Sequence, residues 1–472
     1  MREPDRLSLR AKLGFTVGDY ACNLYWQSVS LFLLFFYTDA VGLPAATAGL
    51  IYMIASVFDG AIDPLAGVIA DRTRTRWGRY RPYLLFGGVP LGLSFVLLYY
   101  RPPFEGLALA GWMLVAHMVF RVAYTAVSIP FTSLNARITA SSAERSTLAG
   151  FRMMFATLAG LTVATLTGPL TGLAGDDPAA GFTLVAAAFA LVATAIFPVV
   201  FLTVREPPDG PAEPVLSVGD HWRGVRGNRA FWLLMGAITF GVICSTALGK
   251  SVLYYFKYYL HDEAAGRLAL SLLAGAGLVI IPAWIWVARR IGKRASWLVA
   301  ASLNLVGLAV FAVVDIRSAP LMMAFLVYMQ VGGLGAAMTF WSMLPDTVEY
   351  GEWRTGLRSE SFIFGLGQFF LKVALGLGAG LFGWALGAVG YVPNQPQTPE
   401  TLAGMKAIMV VLPMIGTAGA GLAMVFYPIR RGDHEGIVRE LAERRGALPL
   451  PEATAARAGP RPSATPAVEP GL

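Results

Sequence analysis

Two stretches of this chain, Phe182 to Phe201 and Leu268 to Ala288, carry no charged residue at all. Runs of roughly 20 apolar residues match the hydrocarbon core of a bilayer as helices, and within that core every backbone polar group must be satisfied internally. Of the 472 residues, 56% are hydrophobic and only 14% charged, where soluble domains carry about 25% charged residues. An all-α membrane protein of many spans follows, because the polar surface of a soluble protein of this length is missing. The amino terminus, "MREPDRLSLRAK", is charged, and the apolar run behind it is too long for a signal peptide core, so it reads as a first span. Cys22 and Cys244 both fall in apolar spans, which argues against a disulfide framework.

Apolar runs mark about twelve spans, near 13–38, 44–70, 83–100, 107–134, 148–172, 180–203, 231–259, 267–288, 296–314, 319–344, 360–390 and 404–428. Basic residues set the expected orientation. With the amino terminus in the cytoplasm, cytoplasmic segments hold 28 of the 37 Lys and Arg residues, outer segments five, and four (Arg121, Arg152, Lys250, Lys372) lie within spans. This asymmetry predicts both termini inside, in a multi-pass plasma-membrane protein, and a bacterial inner membrane suits the Arg-, Ala- and Gly-rich composition. It also accounts for the net charge of +8 without any nucleic-acid partner.

The expected organisation is a cytoplasmic tail at 1–12, a six-helix bundle at 13–203, a Pro- and Gly-rich linker at 204–230, a second bundle at 231–430, and a tail at 431–472 that is disordered from about 447. "DRTRTRWGRYR" follows the second span and "RRIGKR" follows the eighth, the second of the other half. Basic loops at matching places point to a two-fold internal repeat around a central cavity.

Ionisable residues inside spans cost about 2.5–3.5 kcal/mol each on insertion scales, so those retained usually have a partner or a pathway. Asp59 and Asp63 are spaced i, i+4 and share one helix face. Two adjacent carboxylates repel, so one holds a proton unless a cation sits between them, in which case both serve as oxygen ligands. That is a proton or sodium site; the plainer alternative is that each carboxylate pairs with Arg152, Lys250 or Lys372 as structural glue. Lys372 stands in "SFIFGLGQFFLKVALGLGAG", twelve positions after Glu360, about 18 Å along a helix and near mid-membrane. It is placed to balance the acidic pair, displace the cation or bind an anionic substrate group, rather than to snorkel. Asp19, early in the first span, reads as a cytoplasmic gate residue, and Arg121 either pairs with it or serves as packing glue.

Gly249-Lys250-Ser251 resembles the end of a phosphate loop, but Cys244 occupies the leading glycine position and the flanks are a span. No ATP motif is visible, so an ion gradient is the expected energy source and no cofactor is implied. Tyr20, Tyr25, Trp26, Tyr124 and Trp341 offer flat apolar faces for a sugar, or simply pack; the four histidines are scattered and suggest no metal site. "PDTVEYGEWRTGLRSES" supplies Asp346, Glu349, Glu352, Arg354 and Arg358, a charge pattern that suits a cytoplasmic gate exchanging salt bridges, or equally a solvated loop face.

"YTDAVGL", "FDGAIDPLAGVIADRTRTRWGRYRP", "YTAVSIPFTSL", "PDTVEYGEWRTGLRSES" and "GYVPNQ" together resemble the glycoside–pentoside–hexuronide:cation symporters, over about residues 12–430. The resemblance implies a major facilitator fold and alternating access. It implies a cation site of Asp59, Asp63 and Thr125, holding sodium or a proton, and a substrate site to which Arg152 and Lys372 contribute. The sequence departs from that pattern where sugar-binding acids and an aromatic are expected: Asn23, Ser128 and Thr132 stand there, and Ile62 replaces an asparagine that helps ligate sodium. Asn23, Tyr124, Ser128, Thr132 and Gln368 remain candidates to contact a sugar. Arg152 with Lys372 suits an acidic sugar, and proton coupling stays open.

The expected function is cation-coupled symport of a sugar, glycoside or hexuronide. Two readings compete with it. Sodium-dependent lysophospholipid symporters resemble the same pattern, and a cavity without sugar-binding carboxylates suits an amphipathic ligand. A non-transporting sensor or scaffold is the other, against which the retained Asp59, Asp63 and Lys372 argue. A membrane enzyme lacks any nucleophile–base pair or metal-ligand cluster in this sequence.

Overall fold

The computed structural model describes residues 7–138, 142–206 and 218–447. Much of the expected linker (207–217), the first six residues and the expected disordered tail beyond 447 lie outside the described residues. The described chain is helical: α1 (Leu9–Phe35), α2 (Ala45–Arg72), α3 (Arg81–Leu98), α4 (Gly106–Ile138), α5 (Ser142–Thr171), α6 (Pro178–Thr203), α7 (Val218–Arg226), α8 (Arg229–Tyr254), α9 (Glu263–Ile291), α10 (Lys293–Val313), α11 (Ala319–Thr355), α12 (Glu360–Ala388), α13 (Pro399–Val425) and α14 (Asp433–Ala447). Eleven helices are long and apolar enough to cross a membrane. The twelfth, α1, has 27 residues but is more polar, because Asp19, Tyr20 and Gln27 turn toward α5. The chain is a multi-pass membrane protein.

The packing repeats itself. In the first half α1 packs on α5 and α6, α2 on α4, and α3 on α4 and α6; in the second, α8 packs on α12 and α13, α9 on α11, and α10 on α11 and α13. These are the same pairs with every number raised by seven. The halves meet through α2 with α12 and α5 with α9, so each contact joins the second helix of one half to the fifth of the other. Two six-helix bundles related by a pseudo-two-fold axis follow. α1 and α8, the first helices of the two halves, also end alike, in π-helical turns at Phe36–Ala40 and Tyr255–Tyr259. Such turns are rare and concentrate at functional sites. The short α7 and α14 lie against the basic-loop end of α11.

Glycines bring α2 and α12 into backbone contact. A Cβ on Gly383 would lie 2.5 Å from the carbonyl oxygen of Ala45, and one on Gly49 would lie 3.0 Å from that of Ala379. Small residues are how spanning helices approach closely where lipid offers no hydrophobic drive. The line of contact runs down to Gly60, which abuts Phe369 and Lys372. Nearer the basic loops it ends: a Cβ on Gly365 has nothing within 4 Å, and one on Gly67 meets Ile129 of its own half. The halves are therefore joined from mid-depth to the end opposite the basic loops, here called the outer end, and part toward the basic end.

Gly383→Leu drives a side chain into the Ala45 backbone and is expected to cost about 1–3 kcal/mol. The thermal midpoint of the purified protein in detergent should fall by several degrees. Gly111→Ala, where an added Cβ meets nothing within 4 Å, should leave it unchanged.

Candidate functional site

The one-turn spacing of Asp59 and Asp63 places both carboxylates on the face of α2 that meets α4 and α12. Between them stands Lys372. Its Nζ lies 2.9 Å from Asp59 Oδ2 and 2.5 Å from Asp63 Oδ2. Arg121, one turn before Thr125 on α4, donates from Nη1 to Asp59 Oδ2 at 3.2 Å. Asp59 is fully buried, and the side chains of Lys372 and Asp63 are 12% and 14% exposed. Removing one member of such a buried set leaves its partner unpaired, at about 3–5 kcal/mol.

Thr125 Oγ1 lies 2.9 Å from Asp59 Oδ1 and 3.0 Å from Asp63 Oδ1. A hydroxyl has one proton, so it donates to only one of two ionised carboxylates; the second contact is satisfied when that carboxyl carries a proton of its own. The three expected cation-site residues are thus together, with the cluster's lysine lying in the gap. Arg121 is oriented from behind: its Nε donates to His117 Nε2 at 3.2 Å, which leaves the neutral ring's proton on Nδ1, facing the Tyr37 hydroxyl at 3.2 Å.

The expected pairing of Arg121 with Asp19 is not found, because Asp19 faces α5. Arg152 takes it in a two-pronged bond, Nε to Oδ2 at 2.7 Å and Nη2 to Oδ1 at 3.0 Å. This pair is partly open to the cleft, with side-chain exposures of 23% and 10%. Asn23 donates from Nδ2 to the carbonyl of Asp19 at 2.9 Å. Tyr124 stacks on Trp26 with ring centroids 6.0 Å apart, and the Arg121 guanidinium lies 5.6 Å from the Trp26 ring. Ser128 and Thr132 continue the Arg121–Thr125 face of α4 and become progressively more exposed; Gln368, one turn before Lys372 on α12, is exposed. Lys250 donates to the Ser30 carbonyl at 3.1 Å and lies 4.1 Å from the Tyr52 ring.

The rim charges pair within the second half. Lys293 holds both oxygens of Asp346 at 2.8 and 2.7 Å, and Arg358 joins Glu352 at 3.0 Å and Glu360 at 2.7 Å. Glu349 lies 3.3 Å from His434 of α14. Asp346, Glu349 and His434 thus converge, which sequence spacing did not reveal, but Lys293 already occupies Asp346.

A second ionic centre was missed in sequence. Asp39, in the first π-helical turn, accepts from Lys257 Nζ at 2.6 Å and from the Tyr258 hydroxyl, both in the second turn, and from the Tyr391 hydroxyl at 2.8 Å. Asn394 donates to the Asp39 carbonyl at 2.7 Å and receives Lys257 at 2.7 Å. Thr38 and Tyr254 share a hydrogen bond of 2.8 Å beside them. The signal available was the pair "YTDAVGL" and "GYVPNQ", which supply Asp39 and Asn394. These bonds cross between the halves at the outer end and form a latch.

A family profile described as MFS/sugar transport protein matches residues 14–431. The chain belongs to this family. The motif-based resemblance to glycoside, pentoside and hexuronide symporters therefore holds, and the protein is a transporter rather than an enzyme. It is 31% identical to an uncharacterized symporter, YnaJ, of Bacillus subtilis (strain 168), over 93% of this chain and 96% of that one. It is 31% identical to the isoprimeverose transporter of Lactiplantibacillus pentosus, over 89% and 88%. In fold it resembles a bacterial homologue of the human lysosomal transporter Spinster, in an inward-facing and unoccupied conformation, with a TM-score of 0.64 and 15% identity over 89% of this chain and 96% of that one. That degree of likeness carries the fold alone, and it is the major facilitator fold.

Asp39→Asn removes the carboxylate on which Lys257, Tyr258 and Tyr391 converge. In this transporter it should cost about 3–5 kcal/mol of outer-end closure. A double-mutant cycle with Lys257→Met on thermal stability checks this, with a coupling energy above about 1 kcal/mol expected. Additive effects would show that the pair does not hold the halves together.

Proposed function

We propose that this transporter is a cation-coupled symporter of a sugar or glycoside that works by alternating access in a plasma membrane, the bacterial inner membrane. The basic end is assigned to the cytoplasm, with both termini there, on the asymmetry of Lys and Arg. We keep 13–203 and 231–430 as the two moving units, 204–230 as their linker, and 1–12 and 431–472 as tails. On this assignment the described conformation is inward-facing: latched outside, open inside.

The observation that carries the reading is the position of the Lys372 ammonium between Asp59 and Asp63. A sodium ion or proton arriving at the pair competes with Lys372 for the same oxygens. Lys372 belongs to the second half and the aspartates to the first, so ion loading alters the bond between the halves. A ligand shifts such an equilibrium by its differential affinity for the two states, and competition with Lys372 supplies one. Thr125 completes the ion site. The substrate lies in the cleft beside it, against Trp26 and Tyr124, with Asn23, Ser128, Thr132, Gln368 and the Asp19–Arg152 pair available to its hydroxyls. Because Asp19 already neutralises Arg152, that pair favours a neutral sugar. Asp346, Glu349, Glu352 and Arg358 are proposed as the cytoplasmic gate, which would pair across the halves only when the inner side closes.

A hexuronide is a second reading, favoured by Lys250. No carboxylate lies within ion-pair distance of it among the described residues, so its charge is available to an acidic sugar. The relatives' names support sugars; the lysophospholipid alternative draws no support from them.

Uptake into proteoliposomes under a sodium gradient, or under a proton gradient without sodium, tests the proposal. Asp63→Asn and Asp59→Asn should each reduce gradient-driven accumulation by at least about a hundredfold, since each removes a ligand of the ion. Accumulation unchanged in both variants would remove the ion site. Lys372→Ala should tighten ion binding, because the internal competitor is gone, while slowing net transport; calorimetric titration with sodium, or the pH midpoint of uptake, reads the first effect. Weaker ion binding in Lys372→Ala would show that the lysine supports the ion rather than competing with it.

A further inference from the structure

Two arginine-rich loops cross at the basic end of the second half: "ARRIGKR" joins α9 to α10, and "YPIRRGDHE" joins α13 to α14. Gly292 turns the first loop with a φ of +86°, and an added Cβ there would lie 3.2 Å from Arg431 Cβ of the second. Arg431 Nη1 donates to the Arg290 carbonyl at 2.6 Å, which ties the loops together. Between these loops and the basic ends of α9 and α11 lies a cavity of about 470 Å³.

Four arginines line it, Arg289, Arg294, Arg430 and Arg431. Among the described residues no carboxylate lies within ion-pair distance of any of them, whereas Arg358 of the same rim has two. Arg294 instead caps the end of α13, donating to the Met424 carbonyl at 2.9 Å and the Val425 carbonyl at 2.5 Å. Two acids share the lining: Asp346 is held by Lys293, which leaves Glu435 alone against four guanidinium groups. Asp433, at the start of α14, accepts the backbone N–H of Arg430 at 2.8 Å. Like charges gathered in one concave space repel one another until an anion enters. The amino end of α10 adds to the positive side, because its N-cap is Gly292 and no side chain caps it.

The cavity is not charged throughout. Ile285 and Ala288 of α9 and Met338 and Met343 of α11 form an apolar wall. Ile285 is 40% exposed on a helix that crosses the membrane, and its neighbour Trp286 is 60% exposed, with the Arg290 guanidinium 5.1 Å from its ring. Tryptophan at the end of a span marks the boundary between bilayer and water. A ring of arginines above an apolar wall at that depth fits a ligand that is anionic at one end and hydrocarbon at the other. A free phosphate would leave the apolar wall unused.

We infer that this cavity binds an anionic phospholipid of the cytoplasmic leaflet, such as phosphatidylglycerol. The phosphodiester lies among Arg289, Arg430 and Arg431, and the start of an acyl chain lies along Ile285 and Ala288. Basic pockets between spanning helices on the cytoplasmic side take such head groups, and that leaflet is negatively charged. The inference rests on the assignment of the basic end to the cytoplasm, and on neither the sugar nor its coupling ion.

Native mass spectrometry of the purified full-length transporter tests it, by titration with phosphatidylglycerol and with phosphatidylcholine of the same acyl chains. Inorganic phosphate and glycerol 3-phosphate serve as competitors. Phosphatidylglycerol should bind at least about tenfold more tightly than phosphatidylcholine. Arg289→Gln combined with Arg430→Gln removes two side chains that make no hydrogen bond within the described residues. It should weaken phosphatidylglycerol roughly thirtyfold, as for two arginines near a membrane surface. Arg223→Gln with Arg226→Gln takes the same charge from α7, which lines no part of the cavity, and should leave the affinity within about twofold. Should the first pair unfold the protein, Ala288→Phe, which narrows the apolar wall, should weaken phosphatidylglycerol at least about tenfold. Equal affinity for the two lipids, or equal losses in the two arginine pairs, would show surface charge alone and overturn the site. So would undiminished binding in Ala288→Phe. Displacement of the lipid by equimolar phosphate or glycerol 3-phosphate overturns the lipid assignment in favour of a soluble phosphate. Each outcome is read from binding, so loss of transport in the aspartate variants neither supports nor removes it.

Discussion

The Lys372 ammonium between Asp59 and Asp63 is the contact on which the rest of the protein depends. It brings two acids from the first half and a base from the second to within 3 Å, at mid-depth, where neither sign of charge is stable alone. The bond between the halves and the proposed ion site are therefore the same group of atoms. Arg121 adds a second positive charge to Asp59, and His117 with Tyr37 holds Arg121 in place. A set so fully paired has few rearrangements open to it, and the arrival of a small cation is one that keeps every oxygen satisfied.

Around that contact the two halves are tied by features that the internal repeat makes possible. α1 and α8 both end in a π-helical turn, and the two turns present Asp39 on one side and Lys257 with Tyr258 on the other. The two turns, FYTDA and YFKYY, differ in charge, so that a pseudo-symmetric interface becomes an attractive one. Between the latch and the Asp59–Lys372–Asp63 cluster the glycines of α2 and α12 let the backbones touch. Closure at the outer end thus has three layers: an ionic latch, a glycine seam and the lysine at mid-depth. The parting of Gly67 and Gly365 beyond them is the counterpart of that closure.

Much of this was legible without coordinates. The twelve spans followed from uncharged runs, because a bilayer imposes length and apolarity on each helix separately. Asp59 and Asp63 stood out through a one-turn spacing that any helix converts into a shared face, and Lys372 through being a lone lysine in a glycine-rich span. The less legible residues are those whose meaning is a partner far away. Asp39 and Lys257 are separated by 218 positions and each alone looks like an ordinary loop charge. Arg121 was matched with Asp19 because both are solitary charges within spans; which face of α1 turns to α5 decides that Arg152 takes Asp19 instead. His434 read as one of four scattered histidines until α14 folded back on α11.

The sequence by itself determined the membrane, the number of spans, the repeat and the acidic pair, since each is set by local composition or by spacing within one helix. Only the tertiary structure decided which base answers which acid, and that the outer end is latched while the other is open. Those depend on how helices rotate and cross against one another, and no single helix carries that information.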